Sequence, residues 1–376
     1  MFLNVTGSLG GAERVLLTLL RELRRLRPDW QLTVLAGDAG PLIAAIEGLG
    51  CEAHVLPLGE KLNALGDWGT VGKAGLLRKI AGALPQAFRY RSALCRTLRE
   101  LSPDVVQTNG FKMHVLGAMA CPKRARLVWH VHDFVSSRTA MKQLLRWFSG
   151  RPDTVAAISA AVAKDLLSVL KEPRKIRTIW NSVELAPVKS IAPHEGVKIG
   201  LVATFARWKG HDVFLRSLAL LPTELPWRGF IVGGEVYRRA GSQWTERELR
   251  ALANQLGIES RVEFNGFLLD PAPFVGTLDV VVHASTEPEP FGLAIAEAMA
   301  EGRAVATSSE SIVTDGVDGF VHRRGDAAGL ALALERLVRD PELRTRLGAA
   351  ARQTAEERFQ PERMAQEFIA LYEAAG

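Results

Sequence analysis

Two glutamates, Glu289 and Glu297, lie eight residues apart around the predicted start of a helix over 291–300. The first turn of a helix presents backbone N–H groups that have no partner within the helix, together with the positive end of the helix dipole, and both attract anions. Carboxylates accept hydrogen bonds from vicinal hydroxyl groups, as in dinucleotide sites. The pattern therefore fits a ligand with hydroxyl groups at both ends and phosphate between them, such as a nucleotide-sugar.

Two cations, Arg207 and Lys209, lie in a loop between a predicted strand and a predicted helix. Cations in such a loop can neutralise a diphosphate leaving group as its negative charge grows. An ordinary surface basic pair is the alternative interpretation of the same residues.

Two further groups follow predicted strands in the first half of the chain. Gly10 and Gly11 lie between the first strand and a helix, where glycine permits a tight turn and close approach of a phosphate, although a plain turn also explains them. His132 and Asp133 end a strand that also carries His130, and a histidine there can line a ligand site.

The elements that must position these residues alternate between short apolar strands and amphipathic helices along the whole chain. Such alternation predicts an α/β protein with parallel sheets covered by helices on both faces. The polar segment 181–196, with Pro187 and Pro193, reads as a linker, and a second alternation begins at Val197. The 376 residues suffice for two doubly wound domains, whose ligands bind at the carboxyl ends of the strands.

Composition indicates an ordinary globular protein, with 47% hydrophobic and 23% charged residues. The three cysteines, Cys51, Cys95 and Cys121, are far apart and form no CxxC motif, so neither a zinc site nor a disulfide framework is predicted. We see no secretory signal at the N-terminus and no apolar run that could span a bilayer. We therefore expect a cytoplasmic protein, with or without peripheral attachment to the inner face of the membrane, and no nucleic-acid partner.

The stretch 72–99 contains seven basic residues and no acidic one, with leucines, Ile80 and Phe88 interleaved among them. A basic amphipathic stretch of this kind can lie on an anionic membrane surface. A solvated helix face backed by ordinary core leucines explains the pattern equally well, and both interpretations stay open.

Four stretches resemble the retaining glycosyltransferases of the large family four, which have the GT-B fold. They are Gly10-Gly11-Ala12-Glu13-Arg14, Val131-His132-Asp133, Arg207-Trp208-Lys209-Gly210-His211-Asp212 and the run from Val281 to Ala300. The resemblance implies two Rossmann-like domains facing a cleft: an acceptor-binding domain over 1–185, a donor-binding domain over 186–358, and a C-terminal segment 359–376 that returns to the first domain. The implied activity is metal-independent transfer of a sugar, with retention, from a nucleotide-sugar to a polysaccharide or lipid-linked glycan.

The resemblance also implies roles for individual residues. Glu297 would bind the ribose hydroxyls, and Glu289 would contact the transferred sugar. The N–H groups of Phe291, Gly292 and Leu293 would hold sugar hydroxyls or phosphate. The Gly10-Gly11 loop would lie beneath the donor diphosphate and near the acceptor, and Arg207 and Lys209 would neutralise the diphosphate. His132 would contact the sugar near the reacting carbon, and His130 would contact the acceptor; we expect no cofactor, metal or protein nucleophile.

Two departures from the family pattern motivate an alternative. Thr204 stands where the family commonly has an arginine five residues before the lysine, and the loop Ser308-Ser309-Glu310-Ser311 replaces a usual Gly-Gly loop and is about three residues short. A weak or inactive homologue that binds nucleotide-sugar in a regulatory role would show such changes. A sugar-nucleotide epimerase or phosphorylase on the same fold is a third alternative, supported by fold analogy alone.

Overall fold

The computed structural model describes residues 1–63, 73–188, 194–236 and 241–374, and for residues 73–81 it describes the backbone alone. The chain divides into two compact units. The first comprises Met1–Asn181 and Pro361–Gly376, and the second comprises Ser182–Gln360. The corresponding boundaries predicted from the sequence lie at 185/186 and 358/359.

The first unit is built on a parallel sheet of seven strands within the described residues, in the order β3-β2-β1-β4-β5-β6-β7. The strands are β1 (Phe2–Asn4), β2 (Thr33–Ala36), β3 (Glu52–Val55), β4 (Val105–Asn109), β5 (Arg126–Val131), β6 (Thr154–Ala157) and β7 (Ile176–Thr178). The helices are α1 (Gly11–Leu26), α2 (Pro41–Gly48), α3 (Glu60–Asn63), α4 (Lys73–Leu101), α5 (Phe111–Ala120), α6 (Thr139–Phe148), α7 (Ala160–Val169) and the C-terminal α14 (Pro361–Glu373).

Helix α14 belongs to the first unit although it follows the whole of the second in sequence. It packs on α1, where Arg25 and Glu362 form an ion pair at 2.7 Å. Farther along, the Phe368 ring meets His130 edge-on at 4.9 Å between centroids, and the Tyr372 hydroxyl donates a hydrogen bond to the side-chain oxygen of Gln107. The helix therefore covers buried polar groups of β4 and β5.

The second unit contains a parallel sheet of six described strands in the order β10-β9-β8-β11-β12-β13. The strands are β8 (Val197–Val202), β9 (Trp227–Val232), β10 (Val262–Phe264), β11 (Val280–His283), β12 (Ala304–Thr307) and β13 (Phe320–Val321). The helices are α8 (His211–Ala219), α9 (Glu246–Gln255), α10 (Ala272–Val275), α11 (Leu293–Ala300), α12 (Ala327–Arg339) and α13 (Pro341–Arg358). The strands β8, β11 and β12 are almost wholly buried, as expected for a parallel sheet with helices on both faces.

Both sheets reverse their strand order at one point, between β1 and β4 in the first unit and between β8 and β11 in the second. Loops leaving the two strands at such a point diverge to opposite faces of the sheet and open a crevice, which is where doubly wound proteins bind ligands. The predicted α/β class with two doubly wound Rossmann-like domains is confirmed. Among the described helices, none combines the length and apolar character needed to cross a membrane.

One glycine fixes how closely the loop after β8 approaches the end of β11. Gly210 has φ of +71°, and a Cβ on it would overlap the carbonyl oxygen of Ala284. Gly257 offers a matched control, because its φ of +72° is nearly the same while no described atom lies within 4 Å of an added Cβ.

We predict that Gly210→Ala lowers the free energy of unfolding by about 3 kcal/mol or more, because it adds a backbone collision to the left-handed strain. Gly257→Ala bears the strain alone and should lose about 1 kcal/mol. Chemical denaturation followed by circular dichroism measures both variants. Equal losses would show that the contact between Gly210 and Ala284 does not constrain the fold.

Candidate functional site

The loop after β8 carries Lys209 into contact with the loop after β11. Residues Arg207–Lys209 form a single 3-10 turn that ends at Gly210. The backbone N–H of Thr286 donates to the carbonyl oxygen of Trp208 at 2.8 Å, which fastens the two loops together. Both loops leave the strands that flank the switch point of the sheet, so the contact lies where a ligand crevice is expected.

A carboxylate from the second loop joins this lysine. The Lys209 Nζ lies 2.8 Å from Oε2 of Glu289, and Nε2 of His283 lies 3.1 Å from the same oxygen. The side chain of Lys209 is 26% exposed, that of Glu289 14% and that of His283 9%. The three groups form a partly buried polar cluster that a ligand can reach through the lysine.

The protonation state of Glu289 follows from these neighbours. Burial by itself raises the pKa of Glu289, but the hydrogen bond from His283 and the positive charge of Lys209 together lower the pKa to about 2. Glu289 is therefore a carboxylate at neutral pH and acts as a hydrogen-bond acceptor and a negative charge, with no proton to donate.

Because an ionised carboxylate only accepts hydrogen bonds, Nε2 of His283 must carry the proton that it shares with Glu289. The other ring nitrogen, Nδ1, lies 3.2 Å from the Thr307 hydroxyl and 3.4 Å from the Ser308 hydroxyl. Ser308 already donates to the carbonyl oxygen of Ser285 at 2.8 Å, so Thr307 is the group left to donate to Nδ1. These contacts fix the tautomer and the orientation of the imidazole.

The helix that follows Glu289 begins at Leu293, two residues later than the sequence analysis predicted. Gly292 precedes it with φ of +92°, and a Cβ there would lie 2.8 Å from Cδ1 of Ile295 and 3.4 Å from Cγ of Glu289. Glycine therefore allows the sharp turn that brings Glu289 next to the N-terminus of α11. Glu297 lies in the second turn of α11 and is partly exposed.

The side chain of Phe291 faces the interior of the second unit. It is 2% exposed, and its ring meets that of Phe359 edge-on at 5.3 Å. The Ser311 hydroxyl donates to the carbonyl oxygen of Phe291 at 3.0 Å, and Ser311 is itself 2.8 Å from the Ser309 hydroxyl. The serine loop 308–311 thus holds the backbone at Phe291, two residues after Glu289.

Arg207 lies in the same turn as Lys209 but makes different contacts. Its guanidinium is 3.9 Å from the ring centroid of Trp244, pairs with Glu248 at 3.2 Å and donates to the carbonyl oxygen of Gly241 at 3.2 Å. These groups hold the side chain against α9 and the segment before it. Of the two predicted cations, the geometry joins only Lys209 to Glu289.

In the first unit, the predicted glycines lie at the N-terminus of α1. Gly10 is the residue before the helix, and its N–H donates to Oε2 of Glu13 at 3.1 Å. The other carboxylate oxygen of Glu13 accepts from the Asn4 side chain at 3.2 Å. Gly11 is the first residue of the helix and is exposed. Glu13 therefore braces the glycine loop against the end of β1.

The histidines that end β5 form a buried neutral group. The rings of His130 and His132 are 4.1 Å apart between centroids, and the Gln107 amide lies 3.3 Å from Nδ1 of His130. Burial lowers the pKa of His132 to about 4, and burial together with the neighbouring histidines lowers that of His130 well below its usual value. Both rings are uncharged at neutral pH, and Nε2 of His132 is buried without a hydrogen-bond partner among the described residues.

Sequence reasoning missed two residues that organise these sites. His283 was read only as the last residue of an apolar strand, although a polar residue at the carboxyl end of a central strand is a usable signal. Glu13 was quoted within a motif without a role, and its spacing from Gly10 is that of a capping residue. Among the residues that the structure describes, no group of three His, Cys, Asp or Glu is arranged to hold a metal ion.

The fold and these sites define a two-domain α/β protein of the GT-B type, with charged groups at the switch point of its second sheet. Residues 9–186 match the family model "Glycosyltransferase Family 4", and residues 183–354 match "Glycosyl transferases group 1". The chain belongs to the group 1 glycosyltransferases with a family 4 N-terminal domain, and the resemblance is confirmed.

Individual relatives agree with this assignment. The lipopolysaccharide core biosynthesis glycosyltransferase LpsE of Rhizobium meliloti is 32% identical over 53% of this chain and 58% of its own length. The putative glycosyltransferase EpsD of Bacillus subtilis is 34% identical over 44% of this chain and 42% of its own length. The chain thus aligns with about half the length of these two relatives. LpsD of Rhizobium meliloti is 24% identical over 80% of this chain and 82% of its own.

The fold is also that of solved structures. Anabaena HepE, crystallised in complex with UDP, superposes with a TM-score of 0.83 at 22% identity and covers 100% of this chain and 99% of its own. The lipopolysaccharide outer core galactosyltransferase WaaB superposes with a TM-score of 0.77 at 15% identity, with 100% of this chain and 99% of its own covered.

The depressed pKa of Glu289 predicts a specific dependence of stability on pH. Because the folded pKa of about 2 lies below the ordinary glutamate pKa of 4.5, ionised Glu289 contributes stability above pH 4.5 that is lost as pH falls toward 2. The gap in unfolding free energy between wild type and Glu289→Gln should be constant near neutral pH. Below pH 4.5 it should narrow by up to about 1.4 kcal/mol per pH unit.

Denaturant titrations between pH 7 and about pH 3.5 measure this gap. Glu287→Gln is the matched control, since Glu287 is an exposed carboxylate of the same loop. The unfolding free energy of Glu287→Gln should follow that of wild type over the whole pH range. A gap for Glu289→Gln that stays unchanged down to the lowest pH would contradict the buried ion pair.

Proposed function

We propose that this protein is a metal-independent, retaining glycosyltransferase that moves a sugar from a nucleotide-sugar to a polysaccharide or lipid-linked glycan. The observation that carries the proposal is the cluster of Lys209, Glu289 and His283 beside the N-terminus of α11. The ammonium group of Lys209, the carboxylate of Glu289 and the imidazole N–H of His283 lie together there at the carboxyl edge of a doubly wound sheet.

Each group suits one part of a nucleotide-sugar. The ammonium group of Lys209 and the N-terminus of α11 both favour the diphosphate, whose negative charge grows as the bond to the sugar breaks. The carboxylate of Glu289 accepts hydrogen bonds from sugar hydroxyls, and its ionised state at neutral pH suits that role. Glu297, farther along α11 and partly exposed, is proposed to bind the ribose hydroxyls.

The relatives support the classes of donor and acceptor. Anabaena HepE has been crystallised with UDP and with UDP-glucose, which supports a nucleoside diphosphate sugar as donor here. LpsE and LpsD act in lipopolysaccharide core biosynthesis, which supports a glycan or lipid-linked acceptor. In the first unit, the uncharged His132 and the Gly10-Gly11 loop are proposed to contact the transferred sugar and the diphosphate.

The proposal includes retention of configuration and independence of metal ions. We propose that Lys209 supplies the positive charge that a divalent cation supplies in other glycosyltransferases. Departure of the diphosphate and attack of the acceptor hydroxyl then occur on the same face of the sugar, and a phosphate oxygen takes the acceptor's proton. Glu289 is held by Lys209 and His283 and serves as a binding group, so no covalent intermediate on it is invoked.

We predict that Lys209→Met and Glu289→Gln each lower transfer by at least about 100-fold, since each removes a contact worth a few kcal/mol in the transition state. Arg207→Met is the matched control, because Arg207 is a cation of the same turn whose charge is directed to Glu248 and Trp244. It should change transfer by less than about fivefold. Donor turnover is measured with UDP-glucose and a panel of other nucleotide-sugars.

Two outcomes would overturn the assignment. Wild-type turnover in both Lys209→Met and Glu289→Gln would show that the diphosphate and the sugar do not bind at this cluster. Tight binding of nucleoside diphosphate by calorimetry, with neither transfer nor donor hydrolysis across the panel, would favour a nucleotide-sugar-binding protein without activity. That second role is the one suggested by Thr204 and the short serine loop.

The stereochemistry and the metal requirement are tested together. With an α-linked donor, the first-formed product should carry an α linkage, which the anomeric proton coupling in NMR reports. Turnover should be unchanged by EDTA, because Lys209 performs the electrostatic role. A β-linked product would exclude retention, and loss of turnover that Mg²⁺ or Mn²⁺ restores would exclude metal independence.

A further inference from the structure

The outer face of α4 combines exposed apolar side chains with arginines. Leu84 is 47% exposed and Phe88 58% exposed, whereas Tyr90, Leu94 and Leu98 on the opposite side are buried. The residues Phe88, Arg89, Ser92, Ala93, Arg96 and Arg99 line a shallow open pocket of about 420 Å³. This side of α4 therefore exposes both apolar and cationic side chains to solvent.

The arginines on this side of α4 outnumber its acidic residues. None of Arg89, Arg96 and Arg99 forms an ion pair with a described residue, and the one acidic residue in the sequence of α4 is Glu100 near its C-terminal end. The basic residues of 72–81, which the sequence also predicts to contact a membrane, lie outside the described side chains. The net positive charge of this side of α4 attracts anions.

Helix α6 extends the same surface. The crossovers from β3 to β4 and from β5 to β6 run in the same direction along the sheet, so right-handed connections place α4 and α6 in one layer, with α5 between them. On α6, Trp147 is 79% exposed and Leu144 is 43% exposed. Helix α6 contains Lys142 and Arg146 and no acidic residue.

We propose that this docking face, formed by Leu84, Phe88, Arg89, Arg96 and Arg99 of α4 with Leu144 and Trp147 of α6, binds the surface of an anionic lipid bilayer. Arginines attract anionic headgroups, and exposed aromatic and aliphatic side chains enter the interface between headgroups and acyl chains. A tryptophan with one polar edge is well suited to that depth.

The combination of features favours a bilayer over the other occupants. A solvated helix face explains the arginines but not a tryptophan and a phenylalanine exposed on two helices of one layer. An acidic protein or a second copy of this chain would cover the apolar residues as well, but a second copy would bring its own cationic face against this one. The proposal is independent of the catalytic site in the second unit.

Co-sedimentation of the full chain with vesicles tests the proposal. The protein should bind vesicles of phosphatidylcholine mixed with phosphatidylglycerol at least about tenfold more strongly than vesicles of phosphatidylcholine alone. Binding should weaken as salt rises from about 0.1 M to about 0.5 M, since salt screens exposed charges. The triple variant R89E/R96E/R99E should lose at least about tenfold in binding.

The matched control is R216E/R247E/R346E, which makes the same change in net charge on exposed arginines of the second unit. It should keep most of the binding. Phe88→Ser with Trp147→Ser should weaken binding while the slope of the salt dependence stays that of wild type. Circular dichroism melts check that every variant is folded, and hydrolysis of UDP-glucose in solution should be the same in all of them.

Four results would overturn the docking face. They are equal binding to neutral and anionic vesicles, an equal loss in the control triple variant, no vesicle binding at all, and concentration-dependent dimerisation that R89E/R96E/R99E abolishes while vesicle binding persists. Loss of vesicle binding with donor turnover intact would support the face, whatever the outcome for the proposed transfer reaction.

Discussion

The contact between Lys209 and Glu289 is the interaction on which the second unit's site depends. Its partners are 80 residues apart in sequence and come from the loops on either side of the switch point. Because both groups are largely removed from water, neither can lose the other without leaving a charge that is poorly solvated. The loops are thereby held at a fixed separation, which Gly210 permits by its close approach to Ala284.

The order of the sheet explains why a third group joins this pair. Strands β8, β11 and β12 are neighbours, and their carboxyl ends contribute Lys209, then His283, then Thr307 in the same sequence across the sheet. The imidazole of His283 links Thr307 of β12 to Glu289, because each of its ring nitrogens forms one hydrogen bond. The parallel pairing of β8, β11 and β12 thus brings together Lys209, His283 and Thr307, which are remote in sequence.

The fold and the glutamate loop could be predicted because their signals are local. Alternating strands and helices specify a doubly wound sheet, and the spacing of Glu289 and Gly292 specifies a carboxylate beside a helix start. The orientation of the Arg207 side chain could not be predicted. Its partners, Trp244 and Glu248, lie roughly 40 residues later in sequence and come close to it only in the folded unit. The place of His283 at the end of a strand was a usable signal, but its hydrogen bond to Thr307 was not predictable, since Thr307 belongs to the next strand.

The polar groups at the ends of β5 and β11 differ in charge, and this difference bears on the proposed roles of these groups. The second unit presents a charged pair, Lys209 and Glu289, whose fields suit a diphosphate that becomes more negative as it departs. At the end of β5, burial keeps His130 and His132 uncharged, and His130 lies against Phe368 of the C-terminal helix. Neutral donors and acceptors suit sugar hydroxyls, which change charge little during transfer. The proposed chemistry at the leaving group therefore depends on the charged pair of the second unit.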